Sequence, residues 1–311
     1  MKNIICIAGP TASGKTALAV ELAKMLDGEV VSCDSMQVYK RMDIGTAKPT
    51  KEEMQGIVHH MIDVAEPAED FSVSRYCDLA APIVDDILAR GKTAIIAGGT
   101  GLYMDALIRG NDFAPFPSTG MREKLEQQAD EVGMEAMLER LAAIDPESAA
   151  RLHVADRKRI IRALEVYYET GKTITEHNRA TQQIPPRYDP LWLGLDFEDR
   201  AELYRRIDLR VELMLQQGLV EEIRSLLAEG IPAKCTAMQA IGYKEFVEAL
   251  EGKCSIETAA AQVQQSSRRY AKRQLTWFRR NEKMNWLIRK TGEDPSEIIA
   301  RACQIVRNCD N

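Results

Sequence analysis

Nowhere do the 311 residues carry a run approaching 18 apolar positions, so no membrane-spanning helix is expected. The seven cysteines include no Cys-x-x-Cys pair and no histidines at zinc spacing. That pattern sets aside a disulfide framework and a zinc site and leaves reduced thiols. Internal repeats and low-complexity tracts are missing, which excludes solenoids and flexible arrays. There is no excess of positive charge either: 41 Lys and Arg face 47 Asp and Glu, a formal net charge of -6. A surface gripping nucleic acid all round is thereby excluded, because phosphate contacts dominate such binding. The N-terminal MKNIICIAGP runs its apolar stretch straight into a glycine-rich loop, so it reads as neither signal peptide nor anchor, and a cytoplasmic location with no membrane partner is expected.

What is present suits an ordinary globular chain: 45% apolar residues, and length for one sizeable α/β domain plus a smaller one. The positive charge is concentrated. Arg268 to Lys290, RRYAKRQLTWFRRNEKMNWLIRK, holds nine Lys/Arg against one acid, and RKRIIR at Arg157 to Arg162 adds a second cluster. An acidic body with two basic patches fits a polyanion that touches part of the surface. Tyr270, Trp277 and Phe278 interleave with the first patch, where core packing competes with a role in tracking a nucleic-acid backbone.

Periodicity and punctuation give a strand at NIICIAG, a helix from Lys15 to Leu26, strands at EVVSCD (Glu29 to Asp34) and HHMIDV (His59 to Val64), and a helix from Val73 to Arg90 stopped by Gly91. KTAIIAGGTGLY is a buried strand running through glycines into another helix. Such alternation predicts α/β, a parallel sheet clad by helices. From Phe113 to Pro186 the chain turns almost wholly helical, bounded by NDFAPFPSTG and QQIPPRYDP; PLWLGLDF then returns to strand, followed by helices and a late strand, MNWLIR. The expected organisation is a P-loop NTPase-like core formed by 1–113 and 187–311, with an all-helical insertion at 114–186. His59 and His60 have no ligand-type neighbours at metal spacing and read as strand residues.

GPTASGKT, comprising Gly9, Pro10, Thr11, Ala12, Ser13, Gly14, Lys15 and Thr16, fits G-x4-G-K-[ST] with a strand before and a helix after. Its backbone N–H groups and the helix N-terminus point at one anion, Lys15 adds a point charge, and the Thr16 hydroxyl can ligate Mg²⁺. A phosphate or diphosphate ligand follows. An aspartate closing a second hydrophobic strand, the usual magnesium partner of an ATPase, is missing, since TAIIAGG ends in glycines and Thr100. A carboxylate appears instead as Asp34, at the end of the strand following the loop. It reads equally as an outer magnesium partner, an N-cap of a helix over SMQVY, or a general base for an acceptor at the phosphates.

GPTASGKT, DSMQVY, GTAKP, HHMIDV, AGGTGLY, RIIRALEVYYETG, AMQAIGYKE and RRYAKRQLTWFRR follow one another in an order that resembles the tRNA dimethylallyltransferases, or tRNA isopentenyltransferases, over nearly the whole chain. The zinc-finger extension of eukaryotic relatives is absent, so the bacterial form is the nearer match; HVADRK departs from the family's His-Pro-Asn-Asp turn. The resemblance implies transfer of a dimethylallyl group from dimethylallyl diphosphate to the exocyclic amine of the adenosine just 3′ of the anticodon, with Mg²⁺ as cofactor. It further implies Asp34 as the base, Thr100 as its hydroxyl partner, Ser35, Met36 and Gln37 lining the adenine, and Arg210 facing the diphosphate. Contacts to the anticodon stem-loop of tRNA are implied at Thr100, Arg122, Lys158, Arg159, Ile160, Ile161, Arg162, Gln239, Ala240, Ile241, Gly242, Tyr243 and Lys244. A monomer is expected.

Three rivals stand beside this reading. An adenylate isopentenyltransferase would do the same chemistry on free AMP or ADP, but the basic insertion and C-terminal patch favour a macromolecular acceptor. A small-molecule kinase needs a nucleotide-base pocket and lid arginines that the sequence does not display. A non-enzymatic RNA-binding module leaves the phosphate loop without a task.

Overall fold

In the computed structural model, residues 3–110 and 119–308 are described. Six parallel strands form one sheet in the order β3-β2-β4-β1-β5-β6. The first half of the core runs β1 (Ile4–Ala8), α1 (Lys15–Met25), β2 (Gly28–Cys33), α2 (Lys51–Met54), β3 (His59–His60), α3 (Val73–Ala89), β4 (Thr93–Gly98) and α4 (Gly101–Arg109). β1, β2 and β5 are buried at every position, as strands covered on both faces must be, and their apolar runs follow from that. On one face, Leu18 and Leu22 of α1 pack with Ile5, Ile7, Val30, Ile95 and Leu193 of the sheet. On the other, α3 is fastened by Tyr76, whose hydroxyl donates to Ser32 O at 3.0 Å.

Residues Asn111–Pro186 form a separate compact unit, the core being Met1–Gly110 with Arg187–Asn311. The boundary expected between 113 and 114 lies outside the described residues. This second unit holds α5 (Met121–Ile144), α6 (Pro146–Ala149), α7 (Arg157–Thr170) and α8 (Ile174–Gln183). Gly133, at φ 84° and ψ 162°, interrupts α5. Leu125, Met137, Leu141, Ile160, Ile161 and Leu164 make its core.

The chain returns through β5 (Leu191–Phe197), α9 (Arg200–Gln216), α10 (Leu219–Ala228), a 3-10 turn (Ala237–Gln239), α11 (Lys244–Leu250), α12 (Ile256–Phe278), β6 (Met284–Arg289) and α13 (Pro295–Asn308). Ile298, Ala302 and Val306 of α13 complete the apolar face begun by α1.

Two local expectations fail. HHMIDV is a strand only at His59–His60, because Met61 and Asp63 adopt left-handed φ values of 62° and 56° and turn the chain away from the ladder. Its continuation pairs elsewhere, with Val64 N–H donating to Val38 O at 2.8 Å. No helix forms over SMQVY; the segment is a turn that ends in the Tyr39–Ala65 bridge. The six cysteines among the described residues are free thiols. No helix among the described residues is long and apolar enough to cross a membrane.

Candidate active site

Three neighbouring strands deliver the site at their carboxyl ends, where open α/β sheets bind ligands. The phosphate loop follows β1, Thr100 follows β4, and Asp34 follows β2. With β4 between β1 and β2, the loop and Asp34 are separated by two strand spacings, about 10 Å, and Thr100 emerges between them.

Gly14, at φ 94° and ψ 18°, opens α1 without a side-chain cap, leaving the first N–H groups of the helix directed out of its N-terminus. Lys15 Nζ donates to Pro10 O at 2.6 Å. Two arginines one helical turn apart on α9 reach the same loop: Arg206 Nε donates to Ala12 O at 3.0 Å, and Arg210 approaches Thr11 Oγ1 at 3.4 Å. Burial and then repulsion from Arg210 bring the Lys15 ammonium down to about 7, against a counter-pull from Asp34. Arg210 is lowered too, by burial and then by Arg206. Cations crowded together in this way constitute a site whose positive charge is completed when a polyanion binds.

Ser13 Oγ is buried in the loop with no hydrogen-bond partner among the described residues, which fits a donor awaiting a phosphate oxygen. Among the described residues no group of three His, Cys, Asp or Glu could cage a metal. The donor set still fits Mg²⁺, which keeps several waters and is typically held by few protein atoms plus substrate phosphates. Thr16 is the residue that would hold it.

Asp34 carries two different oxygens. Oδ1 accepts from Met36 N–H at 2.8 Å and Gln37 N–H at 3.3 Å, so the carboxylate does cap, but it caps a turn. Oδ2 accepts no hydrogen bond from the described residues. Thr100 Oγ1 accepts from Ser35 N–H at 3.1 Å, tying the turn to the start of α4. Gln37 is clamped at both ends of its amide: Oε1 accepts from Ser32 Oγ at 3.0 Å, and Nε2 donates to Ala47 O at 3.1 Å and Thr46 O at 3.3 Å. Asp34, Ser35, Met36 and Gln37 are all partly exposed, forming one open wall.

Residues not singled out from the sequence hold this wall. Glu222 accepts from the N–H groups of Asp43, Ile44 and Gly45 at 2.8, 2.8 and 3.2 Å and from the Tyr243 hydroxyl at 2.6 Å. One carboxylate thus fixes GTAKP against IGYKE. Gly45 is obligatory there, because a Cβ would lie 2.4 Å from the Tyr243 ring. Tyr270, whose hydroxyl is pushed up to about 12 by burial and then by the Asp34 carboxylate, belongs to the same neighbourhood. Among the 239–244 positions, Gln239 and Lys244 are exposed and Ile241 is half-buried, whereas Ala240, Gly242 and Tyr243 are buried.

In the helical unit, Lys158 and Arg159 are exposed, while Ile160 and Ile161 point into the core and support the helix. Arg122 and Arg162 both bind Glu165, at 2.8 and 2.7 Å. On α12, Phe278 is core and Trp277 packs over Gly101, donating to Asp105 Oδ2 at 2.9 Å. Arg269 and Lys272 are exposed and form no ion pair among the described residues.

A parallel sheet presenting a phosphate loop, converging cations and a half-satisfied carboxylate is an arrangement suited to a phosphate-loop transferase. A profile of the IPP transferase family matches residues 37–281. A tRNA dimethylallyltransferase of Thermoanaerobacter sp. (strain X514) is 50% identical over 288 residues, covering 92% of this chain and 91% of that protein. The full-length tRNA isopentenylpyrophosphate transferase of Bacillus halodurans superposes with a TM-score of 0.74 at 40% identity, over 99% of this chain and 96% of that one. A eukaryotic dimethylallyltransferase solved acting on tRNA gives 0.82 at 30% identity, over 98% and 79%. This chain belongs to the IPP transferase family, the tRNA dimethylallyltransferases.

Proposed function

We propose that the protein transfers the dimethylallyl group of dimethylallyl diphosphate to the exocyclic amine of the adenosine 3′ of the anticodon, acting on tRNA in the cytoplasm. The diphosphate lies on the loop, held by the backbone N–H groups, Ser13, Lys15 and Arg210. The allylic C–O bond breaks and diphosphate departs with the electron pair. The amine nitrogen bonds to the freed carbon, and its proton passes to Asp34 Oδ2. Holding the leaving group's charge is the main electrostatic contribution, because an allyl centre turns cationic as the bond lengthens. Thr16 would hold Mg²⁺, which when bound would supply further neutralisation of the diphosphate charge.

The observation that carries this reading is that Oδ2 of Asp34 accepts no hydrogen bond from the described residues and belongs to a strand end two strand spacings, about 10 Å, from the strand end that bears the cradle. A base there serves an acceptor that enters opposite the anion. The adenine leaves its stack to reach it, at a cost of a few kcal/mol, with Ser35, Met36, Gln37 and Thr100 as its wall. Exposed Gln239 and Lys244, the outer face of α12, and Lys158 and Arg159 of the helical unit offer contacts to tRNA phosphates.

Labelled dimethylallyl diphosphate offered with undermodified tRNA, AMP or ADP tests the assignment. Label in tRNA alone supports it; label in AMP or ADP identifies an adenylate transferase.

A further inference from the structure

α12 places Gln274 between the two halves of the site. Its side chain is 5% exposed. Oε1 accepts from the Thr11 N–H of the phosphate loop at 3.0 Å, and Nε2 donates to Gly99 O at 2.9 Å, immediately before Thr100. The polarity is forced. A backbone N–H only donates and a carbonyl only accepts, so one amide in one orientation satisfies both, and neither Glu nor Met reproduces the pair. The amide lies directly against Gly99: a Cβ there would meet Nε2 at 2.1 Å, whereas the nearest backbone atom, Gly9 O, would be 3.6 Å away. Trp277, three residues on, covers Gly101 in the same manner, a Cβ meeting its ring at 2.2 Å. The two glycines flanking Thr100 thus mark where one helix face approaches the turn closely.

We propose that Gln274 is a positioning residue for the transfer, fixing the spacing between the leaving-group cradle and the Thr100 turn beside Asp34. This rests on the function proposed above. Thr11 N–H is engaged by the strut and lies outside the set that meets the anion. Losing the strut lets the cradle and the base drift relative to each other. A misplacement of about 1 Å can cost about 10²-fold in rate while each substrate still finds its own half of the site.

The test is single-turnover transfer from labelled dimethylallyl diphosphate to saturating tRNA, with tRNA affinity and thermal midpoints measured alongside. Gln274→Met is expected to lower the saturated rate by about 10–10²-fold, with tRNA affinity within about threefold of the parent. Gln274→Glu is expected to weaken donor binding as well, because a carboxylate would face both Gly99 O and the incoming diphosphate. Gly99→Ala is expected to be slow by itself, yet Gly99→Ala with Gln274→Ala is expected to be no slower than Gln274→Ala, since the added methyl fills vacated space. This coupled pair also serves should Gln274→Met fail to fold. A parental saturated rate in folded Gln274→Met, or costs that multiply in the double variant, would overturn the inference. A parent that does not modify tRNA would overturn the function on which it rests.

Discussion

Because burial and then Arg210 bring the Lys15 ammonium down to about 7, donor binding is expected to be linked to a proton. A diphosphate beside the ammonium favours its charged form, so binding above pH 7 must first protonate the lysine. With the lysine fully charged in the complex across this window, the dissociation constant scales as one plus ten raised to pH minus 7. It therefore rises about eightfold from pH 7.5 to pH 8.5, about 1.2 kcal/mol. The sign follows from the direction: a group raised on binding contributes fully below its free value and progressively less above it. In this window the diphosphate itself is already ionised, so its own titration does not offset the trend. Calorimetric titration of the donor at constant Mg²⁺, in two buffers of different ionisation enthalpy, would register uptake of about 0.9 proton at pH 8. Lys15→Arg keeps the charge at every such pH and is expected to abolish both the slope and the uptake. A flat dissociation constant between pH 7.5 and 8.5, with no proton taken up, refutes a lysine poised by burial and by Arg210.

Three further outcomes are expected. Arg210→Ala weakens donor binding about 10–10²-fold, the worth of a charge-assisted hydrogen bond, and leaves tRNA affinity unchanged in a filter assay. Replacing exposed Lys158 and Arg159 together with alanine flattens the plot of log affinity for tRNA against log salt by roughly 0.7–0.9 per lost phosphate contact. Far from the site, the buried carboxyl of Glu29 is held below its usual range by Arg90, then by His60 and Lys92. A depressed carboxyl stabilises above its unfolded value and loses that contribution as pH falls, so Glu29→Gln costs about 1–2 kcal/mol in urea unfolding at pH 7, a gap that narrows below about pH 4.

The chemistry was legible wherever a local string enforces it. GPTASGKT requires its loop between a strand and a helix, and the apolar runs of β1, β4 and β5 can only be interior strands. The shortening of β3 was hidden because the left-handed turns at Met61 and Asp63 are imposed by pairing with residues 37–40, a partner no window around HHMIDV contains. Asp34 carried a cap signal and a base signal at once; Oδ1 turns out to cap a turn, while Oδ2 accepts no hydrogen bond from the described residues. Glu222 and Gln274 were invisible for a different reason. Each looks like a polar residue on an amphipathic helix, and each meets its backbone partners across 175 to 263 residues of chain. Arg206 had a readable clue, its spacing of one turn from Arg210 on α9.

Asp34→Asn probes the base most directly. Asparagine retains an Oδ1 to accept from Met36 and Gln37, so the turn and its tie to Thr100 persist, and the two residues cap about equally well. What disappears is Oδ2, replaced by an amide nitrogen that cannot take a proton at neutral pH. In single-turnover transfer on saturating tRNA and donor, the expected result is a rate lower by about 10²–10⁴, with both affinities within about threefold of the parent. A rate within about threefold of the parent would contradict the account, leaving Asp34 as the cap of a turn and the transfer without its base.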